Sequence, residues 1–181
     1  MVHDDPHGHP HDHAEVPHRH KARAPASAKV YVITCSDSRT AATDEGGRLI
    51  KSMLAEQGHA LTGSAIIPDE PSRISQELRR ARESGSQVAL ITGGTGITSR
   101  DSTFEAVSAA IARPLPGFGE LFRMLSFEEI GSAAMLSRAA AGITQDGLIV
   151  FAMPGSPAAV RLACKRLILP ELGHLIEELG R

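Results

Sequence analysis

Three glycines fall within four positions in Thr92-Gly93-Gly94-Thr95-Gly96, directly after the apolar run Val88–Thr92. Glycine has no Cβ, so backbone N–H groups there can approach a ligand closely. A glycine turn between a strand and a helix suits an anion such as phosphate. The familiar phosphate loops do not fit. No Gly-Lys-Ser/Thr follows, and Ser99 stands where a dinucleotide fingerprint begun at Gly94 needs its third glycine. A tight turn before a helix uses the same residues, and that reading stands beside the first.

Two acidic residues lie on turns of the same kind. Asp69 follows Ala65–Ile67 in Pro68-Asp69-Glu70, and Asp101 follows the glycine turn in Arg100-Asp101-Ser102. Carboxylates from two turns can hold Mg²⁺ against a phosphate, because Mg²⁺ takes few protein oxygens and fills its shell with phosphate and water. The plainer reading is that Asp69 caps the helix opened by Pro71 and Asp101 helps cap the next. Cys35-Ser36-Asp37-Ser38 and Pro154-Gly155-Ser156-Pro157 end two further strands. Ser36, Asp37, Thr92, Ser102, Pro154, Gly155 and Ser156 are thus candidates to contact a ligand beside the glycines.

These turns need a sheet to bring them together. Val30–Thr34, Ala65–Ile67, Val88–Thr92 and Leu148–Met153 read as strands, mostly short apolar runs. Between them, residues 44–57 place Leu49, Ile50, Met53 and Leu54 on one helical face, with Gly58 as the stop. Pro71 opens a helix carrying Ile74, Leu78 and Ala81 inward. Ser102-Thr103-Phe104-Glu105 has the form of a capping box, with Phe104, Val107 and Ile111 as the buried stripe behind it. Ser156 and Pro157 cap and open a helix bearing Val160, Ala163, Cys164 and Leu167. Pro170 bends or breaks it before a last amphipathic stretch, Glu171–Leu179. Strand and helix in alternation give an α/β fold with a mostly parallel sheet covered on both faces. Ligands of such sheets sit beyond the carboxyl ends of the strands.

Around Pro116-Gly117-Phe118-Gly119-Glu120 a turn leads into a helix with Leu121, Met124 and Leu125. Arg123 and Arg138 either face an anionic ligand or serve the surface or a subunit contact. Met124, Met135 and Leu136 read as core or interface packing.

Composition excludes several classes. The formal charge is −2 and aromatics are 3% of 181 residues, which favours neither a nucleic-acid nor an anionic-membrane partner. The longest uncharged apolar run, Leu148–Met153, is too short to span a bilayer, and no apolar signal core opens the chain. A cytoplasmic protein is expected, with Cys35 and Cys164 as reduced, buried thiols. Residues 1–28 hold seven of the nine histidines with Pro6, Pro10, Pro17 and Pro25, and read as a disordered His-rich tail ahead of one domain, 29–181. The tail is either a mobile polar segment or a loose site for Zn²⁺, Ni²⁺ or Cu²⁺.

The motifs together resemble those of the MoaB/MogA family of molybdenum cofactor biosynthesis. The matching segments are Thr92–Gly96, Arg100-Asp101-Ser102-Thr103, Ile67-Pro68-Asp69-Glu70, Pro116–Glu120, Ser137-Arg138 and Pro154–Pro157, within about residues 29–179. The Phe118–Arg123 and Met135–Arg138 stretches look closer to MoaB-type members. The resemblance implies a three-layer α/β/α fold, shared with the corresponding domains of gephyrin and plant homologues, and assembly as homotrimers or homohexamers. It also implies Mg²⁺-dependent adenylylation of molybdopterin by ATP before metal insertion. By position, Asp69 and Asp101 match the family's functional aspartates and the glycine turn its nucleotide cradle. The His-rich tail departs from the family pattern. Other readings are a non-catalytic molybdopterin-binding paralogue, metal delivery by the tail, and a scaffold by analogy with gephyrin.

Overall fold

The computed structural model describes residues 27–180. The seven histidines of the 1–28 tail, and with them its metal-binding reading, lie outside those residues.

Six strands form one sheet in the order β2-β1-β3-β6-β5-β4. They are β1 (Lys29–Cys35), β2 (Ala60–Ile67), β3 (Val88–Thr92), β4 (Ile111–Pro114), β5 (Ala140–Thr144) and β6 (Ile149–Met153). β2, β1, β3 and β6 run parallel, while β5 is antiparallel to both β6 and β4. The sheet is therefore mostly parallel, as the alternation of elements predicted. The sequence reading anticipated four strands and missed β4 and β5. β5 is Ala-Ala-Gly-Ile-Thr, with little of the β-branched and aromatic content that marks a strand. β4 is a four-residue edge strand ending in Pro114 that follows a helix without a loop. β2 begins five residues earlier than its apolar end suggests, because its first half is Ala, Leu, Thr, Gly and Ser.

The helices are α1 (Glu45–Glu56), α2 (Pro71–Glu83), α3 (Thr103–Ala110), α4 (Pro116–Ile130), α5 (Pro157–Ala163) and α6 (Leu172–Leu179). A 3₁₀ segment, Gly131–Leu136, follows α4, and a π-helical turn at Cys164–Ile168 follows α5. The chain tightens to 3₁₀ at Leu169–Glu171 around Pro170 before α6, as a proline without an N–H requires.

Strand side chains alternate between two cores, giving three layers. Val30, Val32, Leu90, Phe151 and Met153 face α1, α4 and α5, whose Ile50, Leu54, Phe122 and Val160 are buried against them. Ile33, Cys35, Ile91 and Ala152 face the other way, onto Ile74, Leu78 and Ala81 of α2 and Val107 of α3. Phe118 meets Phe151 edge-on, with ring centroids 5.1 Å apart. Burying Phe122, which is 1% exposed, contributes on the order of 2–3 kcal/mol. The first core continues to Ala28, whose carbonyl accepts the Ala60 N–H.

α1 is capped by Asp44, whose carboxylate accepts from Gly47 N at 2.9 Å and Thr34 Oγ1 at 3.0 Å. Ser156 caps α5 through the Ala159 N–H, as expected. The capping box at Ser102–Glu105 does not form. Ser102 precedes α3 but makes no cap bond with its side chain. Its hydroxyl donates to Asp69, and Glu105 instead pairs with Arg138. Tertiary partners outcompete the local motif. Of the expected stripe, Val107 is buried, whereas Phe104 is half-buried beneath Arg138 and Ile111 begins β4.

Candidate functional site

The chain leaves β1 toward β2 on one side, and β3 connects away on the other. Between the carboxyl ends of β1 and β3 the sheet order therefore reverses, which is where ligands of open α/β sheets bind. A cavity of about 490 Å³ opens there. One wall is the end of β1 with Thr34, Cys35, Ser36 and Arg39; another is the start of α1 with Asp44 and Gly46. The turn 92–96, Asp101 and Pro154–Pro157 complete it. Ser36, Thr92, Gly93, Gly94, Thr95, Gly96, Asp101, Pro154, Gly155 and Ser156 are thus gathered as the sequence predicted. Thr34, Arg39, Asp44 and Gly46 escaped it. An Asp before Glu45-Gly46-Gly47 carries a helix-cap signal that could have directed attention there.

The turn departs sharply from strand geometry. Gly93 and Gly94 have φ of 93° and 61°, a region L side chains rarely occupy. A Cβ at Gly93 would overlap the Cys35 carbonyl, and one at Gly94 would overlap the Asp69 carboxylate and the Thr103 hydroxyl. A Cβ at Gly96 would lie 2.7 Å from Asp101 Oδ2. Both aspartates thus press on the turn, two residues apart, through space that only glycine leaves open. Met153 O accepts the Gly93 N–H at 3.1 Å, and Gly94 O accepts the Thr103 N–H at 3.0 Å. Among the described residues, the N–H groups of Gly94 and Thr95 have no protein acceptor. The turn therefore presents unpaired donors at the cavity, as an anion cradle requires.

The two carboxylates differ in setting. Asp69 is 9% exposed and is not part of the cavity wall. Its Oδ1 accepts from Ser102 Oγ at 2.9 Å, Thr103 Oγ1 at 3.0 Å and Ser102 N at 3.2 Å. It places a negative charge at the N-terminus of α3, where the helix dipole favours it. Asp69 does not cap the helix after Pro71: α2 begins without any side-chain cap bond. Asp101 lines the cavity, and its Oδ2 accepts from the Thr98 hydroxyl and from Thr98 N at 2.9 Å. The Thr98 hydroxyl, donating to the ionised form, holds the Asp101 carboxyl below its usual range.

Asp37 and Ser102 also stand outside the cavity wall. Asp37 accepts the Asp69 N–H at 3.3 Å and forms an exposed ion pair with Arg100, whose hydrogen bond keeps its carboxyl low. Burial pushes the Cys35 thiol up to about 12. Neither Arg123 nor Arg138 lines this cavity. Arg138 instead holds Thr95 O, Gly96 O and Glu105.

Asp101 offers the cavity a carboxylate of the kind a hard cation such as Mg²⁺ takes beside phosphate and water, whereas Asp69, predicted as its partner ligand, is turned to Ser102 and Thr103 outside the wall. Among the described residues, no cluster of three or more His, Cys, Asp or Glu offers the all-protein shell of a structural zinc site. No helix of the described residues is long and apolar enough to cross a membrane.

Residues 31–174 match the family described as "Probable molybdopterin binding domain". Molybdenum cofactor biosynthesis protein B of Bacillus cereus is 50% identical over 164 residues, 90% of this chain and 96% of that protein. A crystal structure of a molybdenum cofactor biosynthesis protein B superposes with a TM-score of 0.84 at 48% identity, covering 88% of this chain and 99% of the other. The tungsten cofactor synthesizing protein MoaB from Pyrococcus furiosus gives 0.80 at 36% identity, covering 87% and 100%. Fold and sequence agree that the chain belongs to the MoaB/MogA family of molybdenum cofactor biosynthesis proteins.

Proposed function

We propose that this protein adenylylates molybdopterin. A terminal phosphate oxygen of molybdopterin attacks the α-phosphorus of ATP. The bond from that phosphorus to the bridging oxygen breaks, and pyrophosphate leaves with the electron pair. Two anions must meet, so the reaction depends on positioning and charge stabilisation more than on a strong base. The unpaired N–H groups of Gly94 and Thr95 carry this reading, since they offer donors to phosphate oxygens on a turn whose three glycines leave it largely bare of side chains. Arg39, whose guanidinium also donates to Thr43 O, lines the cavity, while Ser36 and Ser156 offer hydroxyls to pterin or nucleotide. Mg²⁺ held at Asp101 would neutralise charge on the phosphates, with Asp69 reaching it only by giving up Ser102 and Thr103. Asp101 remains ionised at neutral pH, as a cation ligand must.

The test mixes protein, molybdopterin, ATP and Mg²⁺, with Asp101→Asn as control, and seeks the adenylylated pterin by chromatography. Product from wild type alone is expected, with pterin binding near normal in the variant. Equal turnover by the variant removes Asp101 from the mechanism. No product from either, with molybdopterin still bound, identifies a binding-only paralogue. The engagement of Asp69 by Ser102 and Thr103, away from the cavity wall, favours that second reading.

A further inference from the structure

Every peptide unit that offers an N–H to an anion also carries a carbonyl that repels it. A cradle works only if its carbonyls are turned away and satisfied elsewhere. Gly94 O is satisfied by the Thr103 N–H at the start of α3. The next two carbonyls, in the peptide units that follow the free donors and carry the Gly96 and Ile97 N–H groups, are both taken by one side chain from far along the chain. Arg138 donates Nε–H to Thr95 O at 2.9 Å and an Nη2 hydrogen to Gly96 O. Its remaining terminal nitrogen, Nη1, donates to Glu105 on α3, and its guanidinium lies over the Phe104 ring, 4.9 Å from the centroid.

Three features set this arrangement apart from a surface arginine. The planar fork spans two consecutive carbonyls and a carboxylate at once, which a single ammonium cannot do. Glu105 offsets the charge, so little is left to attract a ligand directly. Arg138 also belongs to the segment between the 3₁₀ turn and β5, so it ties the glycine turn to an element that otherwise has no part in the cavity.

We propose that Arg138 is a positioning residue for anion binding: by fixing the Thr95–Gly96 and Gly96–Ile97 peptide units it holds the end of the turn in place, and with it the neighbouring free N–H groups of Gly94 and Thr95, without touching the ligand. This rests on the phosphate-cradle reading of the turn.

The test compares wild type with Arg138→Ala, Arg138→Lys and Glu105→Gln. Calorimetry measures the Kd for Mg²⁺-ATP and for inorganic pyrophosphate. Amide hydrogen exchange in ligand-free protein is followed at Gly93 and Thr103, the two bonded amides that bracket the turn. Both Arg138 variants are expected to exchange faster at these amides and to bind about tenfold more weakly or worse, with lysine failing to rescue. Glu105→Gln keeps the fork but loosens its anchor, and should weaken binding roughly threefold. It serves if Arg138→Ala does not fold. Wild-type affinity in Arg138→Lys would mean that charge, not geometry, is what matters, and overturns the inference. So does a lower melting point in Arg138→Ala with unchanged Kd and exchange. If wild type binds pyrophosphate and the variants lose it, but no adenylyl transfer occurs, the proposed reaction fails and this inference stands. If wild type binds neither probe, both fail.

Discussion

Replacing Gly94 by alanine tests the site at its tightest point. The added Cβ would overlap the Asp69 carboxylate and the Thr103 hydroxyl, and the backbone has φ of 61°. Holding a non-glycine residue there costs about 1–2 kcal/mol. The carboxylate must also retreat, giving up at least one of its hydrogen bonds from Ser102 and Thr103, for about 1.5–3 kcal/mol more. The sum, roughly 3–5 kcal/mol, is a large share of a domain's stability of about 5–15 kcal/mol. At this chain length it lowers the melting temperature by about 6–20 °C. Differential scanning calorimetry measures it. Gly117→Ala is the control, since it lies in the first turn of α4 with nothing within 4 Å of an added Cβ, and should melt like wild type. A Gly94→Ala variant melting within about 2 °C of wild type would refute the account of how turn and carboxylate share space.

Acid should erase the contribution of Asp101. Its folded-state pKa is depressed, so the stability it adds is full above the ordinary value of about 3.9 and is lost as pH falls through the lowered one. Denaturant titrations of wild type and Asp101→Asn should therefore differ at pH 7 and converge once the pH has fallen through the lowered pKa; a gap that persists in acid contradicts this. Cys35 and Cys164, buried with thiols pushed up to about 12, should resist alkylation at pH 8 and react together only on unfolding. Rapid labelling of the native protein would show that the cavity opens to Cys35. Leu121, Met124, Phe127 and Ile130 on α4, with Met135 and Leu136 beyond it, are large exposed apolar side chains. We propose that this face carries the self-association the resemblance implies. Phe127→Glu should then sediment as a monomer where wild type does not, and unchanged sedimentation would move the interface elsewhere.

The parallel strands were legible because β1, β3 and β6 are nearly unbroken apolar runs, and α2 and α5 because proline marks their first positions. The glycine turn and the aspartates stood out because few residue types tolerate such sites. What stayed hidden depends on partners distant in sequence. Ser102 and Glu105 have the spacing of a local cap, yet Asp69 and Arg138 claim them. Arg138 reads as either a ligand-facing arginine or one for the surface or a subunit contact, and only the folded chain shows its fork taken by Thr95 O and Gly96 O. Met124 and Met135 read equally as core or interface, and only the folded chain shows them at the surface.

Two of the contacts around the turn close long loops. Asp69 reaches Ser102 across 33 residues, and Arg138 reaches Thr95 across 43. No fragment of the chain can rehearse this site, because loop-closure entropy must be overcome before any of these contacts forms. In folding, the cavity is completed only after β1, β3 and β6 are side by side. Were the segment that carries Arg138 to detach, Thr95 O and Gly96 O would lose their partner while the parallel strands kept theirs. The shape of the turn thus rests on contacts that the sheet housing it does not need.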